Sequence, residues 1–136
     1  MKKFATSFEP DGELLVVRGR FEGPGGSSGG RLVLDTGAGM TTITPEFAEL
    51  LGYSARDGLR RTRVHTAVGS EEGYLLQVAE FAALGAIVKS FSVHVFDLGH
   101  DEIDGLVGLN FLNRLNYEVR SVERRILVEP VAPAPR

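Results

Sequence analysis

Cysteine is absent from the chain. That excludes a disulfide framework, a thiolate-bound zinc centre and a cysteine nucleophile, although it leaves the compartment open. An excess of either charge is missing too, since 15 Lys and Arg stand against 18 Asp and Glu for a net charge of -3. No overall basic field is available for a nucleic-acid backbone or an anionic membrane, so neither is expected as a partner. Long apolar runs are also lacking. The longest uncharged stretches, such as residues 36–45, reach about half of the ~18 residues that a membrane span needs, and residues 1–9 hold no apolar signal core. These absences predict a cytoplasmic protein. What remains is 136 residues, 43% hydrophobic and 24% charged. That suits one packed domain over residues 1–129, followed by a loose tail at 130–136 that holds three prolines.

Glycine is abundant, and its 17 residues punctuate short β-branched runs along the chain, which predicts many strands joined by turns. Residues 3–8 and 14–21 flank Glu9-Pro10-Asp11-Gly12, where Pro presets φ and Gly admits a positive φ, so an N-terminal hairpin is expected. A flexible loop of Gly and Ser over residues 23–30 should lead into a buried strand at 31–34, because Leu32-Val33-Leu34 is too continuously apolar for an exposed edge. Thr44, Pro45 and Glu46, with Gly52 beyond Leu51, have the order of N-cap, N1 proline, first-turn acid and terminator of a short helix. Residues 61–68 and 74–81 predict a hairpin around Gly69-Ser70-Glu71-Glu72-Gly73, with a further strand at 87–96. Leu106, Leu109 and Leu112 fall at helical spacing within 105–114, and strand character returns at 117–122 and 125–128.

The most informative segment is Leu32-Val33-Leu34-Asp35-Thr36-Gly37-Ala38. Here a carboxylate follows directly on residues that a sheet would bury, which is costly unless the group is protonated, paired or hydrogen-bonded. Asp-Thr-Gly alone is weak, since it arises by chance in on the order of one chain in thirty of this length at average composition. Its surroundings add weight. Thr41, Ile43 and the capped helix follow it, and Leu106-Val107-Gly108-Leu109-Asn110 stands far downstream.

Asp35-Thr36-Gly37-Ala38 together with Leu106-Val107-Gly108 resembles the single-domain, retropepsin-like aspartic proteases of the retroviral and bacterial type, over about residues 13–128. The resemblance implies an all-β, closed acid-protease barrel with one or two short helices. In it, the apolar-apolar-Gly strand threads beside the loop that bears the catalytic Asp. It further implies an aspartic endopeptidase acting on a peptide or protein substrate without metal or organic cofactor. Peptide hydrolysis by carboxylates needs one group to take a proton from water and another to give one to the scissile carbonyl oxygen, so aspartic proteases use a pair that shares a proton. A second motif is absent: Asp11-Gly12, Asp57-Gly58 and Asp104-Gly105 lack the middle hydroxyl residue and the apolar run before it. The expectation is therefore a homodimer with Asp35 of each chain meeting on a twofold axis. By resemblance, Thr36 would lock the two loops across the dimer, Gly37 would admit substrate backbone and Ala38 would pack beneath. Leu106, Val107 and Gly108 would support the loop from behind, and Gly69 and Ser70 would mark a flap closing over the peptide. Gly39 departs from the pattern, standing where many relatives carry a polar residue. A non-catalytic peptide-binding or dimerisation module on the same fold is the alternative, and the chain could also be the protease portion of a larger polypeptide.

Other segments carry less. Gly25-Gly26-Ser27-Ser28-Gly29 matches the Gly-x-Ser-x-Gly pattern, but it enters a strand where a nucleophile elbow needs a helix, and it lacks a His partner. His65, His94 and His100 have no zinc-ligand spacing, and Asp97, Asp101, Glu102 and Asp104 do not follow a calcium-loop pattern, so a solvated acidic loop is expected. Arg60, Arg61 and Arg63 read as a solvated strand end, because aromatic residues do not interleave them.

Overall fold

The computed structural model describes residues 4–66 and 69–129. The chain runs through β1 (Phe4–Ser7), β2 (Glu9–Asp11), β3 (Leu14–Gly23), β4 (Gly26–Leu34) and β5 (Thr42–Ile43), then helix α1 (Pro45–Leu50) and a 3-10 turn (Ala55–Asp57). It continues through β6 (Arg60–Thr66), β7 (Gly69–Ala83), β8 (Ala86–Val95), β9 (Gly105–Val107), helix α2 (Leu109–Leu112), β10 (Asn116–Arg120) and β11 (Arg125–Glu129). The fold is all-β with two short helices, as expected.

Eight strands form one sheet in the order β2-β3-β4-β9-β5-β8-β7-β6, and a smaller sheet has the order β1-β11-β10. An additional pairing of Arg20–Glu22 on β3 with Glu80–Ala82 on β7 stitches the large sheet back on itself. Strands β2 and β6 stay outside that stitch as edges. The expected closed barrel is thus a curled sheet that is not fully closed.

Several local expectations are corrected. Of the segment expected at 3–8, the described residues 4–7 pair elsewhere than 14–21: β1 pairs with β11, and only β2 folds onto β3, around Gly12 at φ 60°. The Gly/Ser segment is mostly strand, because Gly23 pairs with Gly26 and β4 starts there. Its glycines serve close packing more than flexibility, since a Cβ at Gly23 would stand 2.5 Å from the Leu51 carbonyl oxygen and the Tyr53 ring. Strand β7 also begins earlier than expected, at Gly69 in register with Thr66. Gly69 and Ser70 are therefore the first two residues of β7, and residues 67–68 of the expected strand lie outside the described residues, as does the proline-rich tail. Gly73, expected in the turn, lies mid-strand where a side chain would collide with the Val95 backbone. Within residues 105–114 the helical spacing holds only for α2, and β9 before it is the strand that the resemblance implies.

The core explains why these elements hold the site. Phe21, Phe81, Phe91 and Phe111 are fully or almost fully buried, with Phe81 stacked on Phe21 at 4.4 Å and edge-on to Phe111 at 4.7 Å. Each such ring gains roughly 1.5–3 kcal/mol from burial. Phe111 thereby anchors α2, and Phe47, 5.4 Å from Phe21, anchors α1. Helix α1 begins as its sequence suggests, with the Thr44 hydroxyl accepting from Phe47 N at 3.2 Å and Pro45 in the first turn.

Candidate active site

Strand β4 runs parallel to β9, pairing Leu32, Val33 and Leu34 with Gly105, Leu106 and Val107. On its other side β9 runs antiparallel to β5. The loop from Asp35 to Thr41 therefore leaves β4 on one side of β9 and returns through β5 on the other. Position 108 lies against this returning segment. A Cβ there would come within 2.5–2.8 Å of Met40 C and O and Thr41 N, so only glycine fits. Backbone bonds close the arrangement: Asp35 N donates to Val107 O at 3.0 Å, Leu109 N to Ala38 O at 2.8 Å and Asn110 N to Gly39 O at 3.0 Å.

Within the loop, Asp35 is half-buried and its Oδ1 accepts from Gly37 N at 2.9 Å. This accounts for the carboxylate at the end of an apolar strand: it leaves the core at the strand's end and is hydrogen-bonded by its own turn. Its second oxygen has no hydrogen bond among the described residues. Thr36 and Gly37 are exposed and Ala38 half-buried, so the whole motif is presented outward on a rigid support. The Thr36 hydroxyl likewise has no partner among the described residues. Leu106 is half-buried, whereas Val107 and Gly108 are buried behind the loop. Gly69 and Ser70 are exposed at the end of the β6–β7 hairpin.

An aspartyl protease family model matches residues 17–111. The chain belongs to the aspartyl protease family. No curated protein sequence matches it. Among solved structures it is similar to a retropepsin-like aspartic protease from Rickettsia conorii, at 19% identity and TM-score 0.69, over 93% of this chain and 89% of that one. It is also similar to the retroviral protease-like domain of Ddi1 from Leishmania major, at 17% identity and TM-score 0.59, over 87% and 90% of the two chains. A third similar structure is EIAV protease with the inhibitor HBY-793, at 17% identity and TM-score 0.57, over 78% and 91%. The fold of this aspartyl protease family member is thus retropepsin-like.

The sequence reading left Asn110 without a role, and the structure supplies one. Its Oδ1 accepts from both Thr41 N at 2.7 Å and Thr41 Oγ1 at 2.8 Å, while Nδ2 donates to Ser92 O at 2.8 Å. The Thr41 hydroxyl in turn accepts from Gly108 N at 3.1 Å. One amide thus ties the returning loop, the residue behind it and β8. The only sequence signal was its position two residues after Gly108.

Asp104, expected in a solvated acidic loop, is half-buried and bonded to β4. Its Oδ2 accepts from Arg31 N, and its own N–H donates to Arg31 O, both at 2.8 Å, which fixes the start of the β4–β9 pairing. Asp97 bonds elsewhere, its Oδ1 accepting from Gly99 N at 2.8 Å. Among the described residues no group of three or more metal-binding side chains is gathered, and no helix is long and apolar enough to cross a membrane. His94 lies in β8, half-buried, with Nε2 2.5 Å from the Thr62 hydroxyl of β6. Burial, and then the Arg60 charge, push its pKa below the ordinary 6.5. The side chain of His65 lies outside what the structure describes. Ser27 and Ser28 sit in β4, away from any strand-to-helix turn.

Proposed function

We propose that the chain is an aspartic endopeptidase whose active form is a homodimer, with Asp35 of each subunit forming the catalytic pair. One observation carries the reading: Asp35 is held half-exposed on a braced loop, with one carboxylate oxygen bonded to the loop's own backbone and the other left open. A lone carboxylate in that setting can take a proton or give one, but not both in the same step. A twofold axis through the loop supplies the second group without a second motif.

In this mechanism one carboxylate takes a proton from a water whose oxygen attacks the scissile carbonyl carbon. The other, protonated, carboxyl gives its proton to the carbonyl oxygen. Collapse of the resulting diol breaks the C–N bond as the first carboxyl gives its proton to the leaving nitrogen and the second carboxylate takes one from a diol hydroxyl, regenerating a pair with one shared proton. Thr36, exposed beside Asp35, would bond across the axis, and the open surface at Gly37 would let substrate backbone approach. The β6–β7 hairpin would fold over the peptide and exclude water.

Mixing tests the shared site. Equal amounts of the wild type and Asp35→Asn, exchanged to equilibrium, should show about a quarter of the activity of the same total of wild type, as random pairing in a twofold dimer requires. A fall to about a half would mean that each chain works alone and would contradict the paired mechanism.

A further inference from the structure

The mechanism leaves unused a cleft of about 740 Å³ at the root of the β6–β7 hairpin, walled by Arg60, Arg61 and Arg63, by Glu72, Gly73 and Tyr74, and by Ala55 of the 3-10 turn. Arg61 stands opposite Tyr74 and Arg63 opposite Glu72, so these four share one face of the hairpin. Arg63 is engaged, bonding Glu72 at 2.8 Å and Ser70 at 3.1 Å. Arg60 and Arg61 are exposed and, among the described residues, form no ion pair. Beside them β6 is the last strand of the sheet, so its outer edge carries unpaired backbone groups. Tyr74 adds a donor: burial, and then the carboxylates of Asp57 and Glu49, raise its phenol above the usual 10, which keeps the O–H protonated.

We propose that this cleft docks an acidic polypeptide segment, rich in Asp and Glu, laid along the outer edge of β6 with its carboxylates on Arg60 and Arg61. An open strand edge recognises an extended peptide backbone, and guanidinium groups recognise carboxylates through paired hydrogen bonds. A positive patch on a chain of net charge -3 selects for such a segment. A single-stranded nucleic acid fits less well, because the cleft offers one half-buried aromatic ring and no stacking platform. The consequence for catalysis rests on the peptidase reading: an acidic flank on a substrate would be held beside the hairpin that covers the site. Such uniform binding lowers KM and leaves kcat unchanged.

The test separates the two. Asp35→Asn, which cannot turn a peptide over under the proposed mechanism, is titrated with a fluorescent octaglutamate peptide and with its octaglutamine counterpart, read by anisotropy. Tighter binding of the glutamate peptide by about tenfold or more is expected. That preference should weaken with salt and disappear in Arg60→Gln/Arg61→Gln, but persist in Arg18→Gln, which alters an arginine outside the cleft. Equal binding of the two peptides, or a preference untouched by the double variant, overturns the docking site. So does an oligouridylate that binds this cleft more tightly than octaglutamate. Because binding is read without turnover, loss of the docking site leaves the peptidase reading intact. Failure of the wild type to cleave any peptide leaves the docking result standing.

Discussion

A methyl group at position 108 has nowhere to go, because Met40 and Thr41 backbone atoms already fill the space. Gly108→Ala must push the returning loop away from β9, and overpacking of this kind costs typically ~1–3 kcal/mol. Urea unfolding should register that loss, and activity should fall further than the lost folded fraction explains, because the displaced loop bears Asp35. Asn110→Ala works by subtraction. It leaves the fully buried Thr41 without its acceptor and the half-buried Ser92 without the amide donor to its carbonyl, and an orphaned buried group costs ~1–3 kcal/mol. Thermal denaturation should show the drop, and Asn110→Ser should not restore it, since a hydroxyl is too short to reach both partners. Position 39 contrasts with these: a Cβ at Gly39 meets nothing within 4 Å. Gly39→Asp should therefore change stability by no more than about 0.5 kcal/mol, so the departure from the polar residue of many relatives is not forced by packing within the chain.

At the level of elements, the β6–β7 hairpin is joined to the body through the pairing of β7 with β8, and the contact of Thr62 with His94 ties β6 to β8 as well. The native imidazole resists protonation, because burial and then Arg60 lower its pKa. Below the ordinary 6.5 the unfolded chain binds that proton while the native chain does not, so this group's contribution to stability falls as pH drops from there toward the lowered native value. Thermal melts from pH 7 to 5 should show that slope, and it should flatten in His94→Gln. The turn between β10 and β11 titrates lower. Arg120 and then Arg125 hold the exposed Glu123 carboxyl down to about 2, so its ion pairs persist above the usual 4.5 and are lost only as pH falls through about 2. What was legible in the sequence at this scale follows the same division between local and distant causes. Helix α1 could be read because Thr44, Pro45 and Gly52 act within one or two turns. The start of β7, the strand at Gly26 and the pairing of β1 with β11 could not, because distant neighbours decide them: Leu51 and Tyr53 over Gly23, and the Val95 backbone over Gly73. Asp35 was legible as a carboxylate out of place in an apolar run. Asn110 was not, since its partners Thr41 and Ser92 lie 69 and 18 residues away.

For the whole molecule, the reading depends on two chains. Thr36 faces solvent in the single chain, and in the proposed dimer its hydroxyl bonds across the axis. Thr36→Ala should leave the chain folded but raise the concentration at which activity is half-maximal, with recovery on concentrating the protein. A loss independent of concentration would count against the cross-chain role. The small β1-β11-β10 sheet is built from three strands of one chain. The central claim is that this family member cleaves peptides with Asp35. The measurement that bears on it most directly is cleavage of a randomised peptide library between pH 3 and 8, wild type beside Asp35→Asn, with both shown by circular dichroism to be folded. Turnover by the wild type, reduced on the order of 10³-fold or more in the variant, is the result the account predicts. Equal cleavage by both would remove Asp35 from the chemistry, and cleavage by neither, from folded dimers, would favour a module that binds peptides without hydrolysing them.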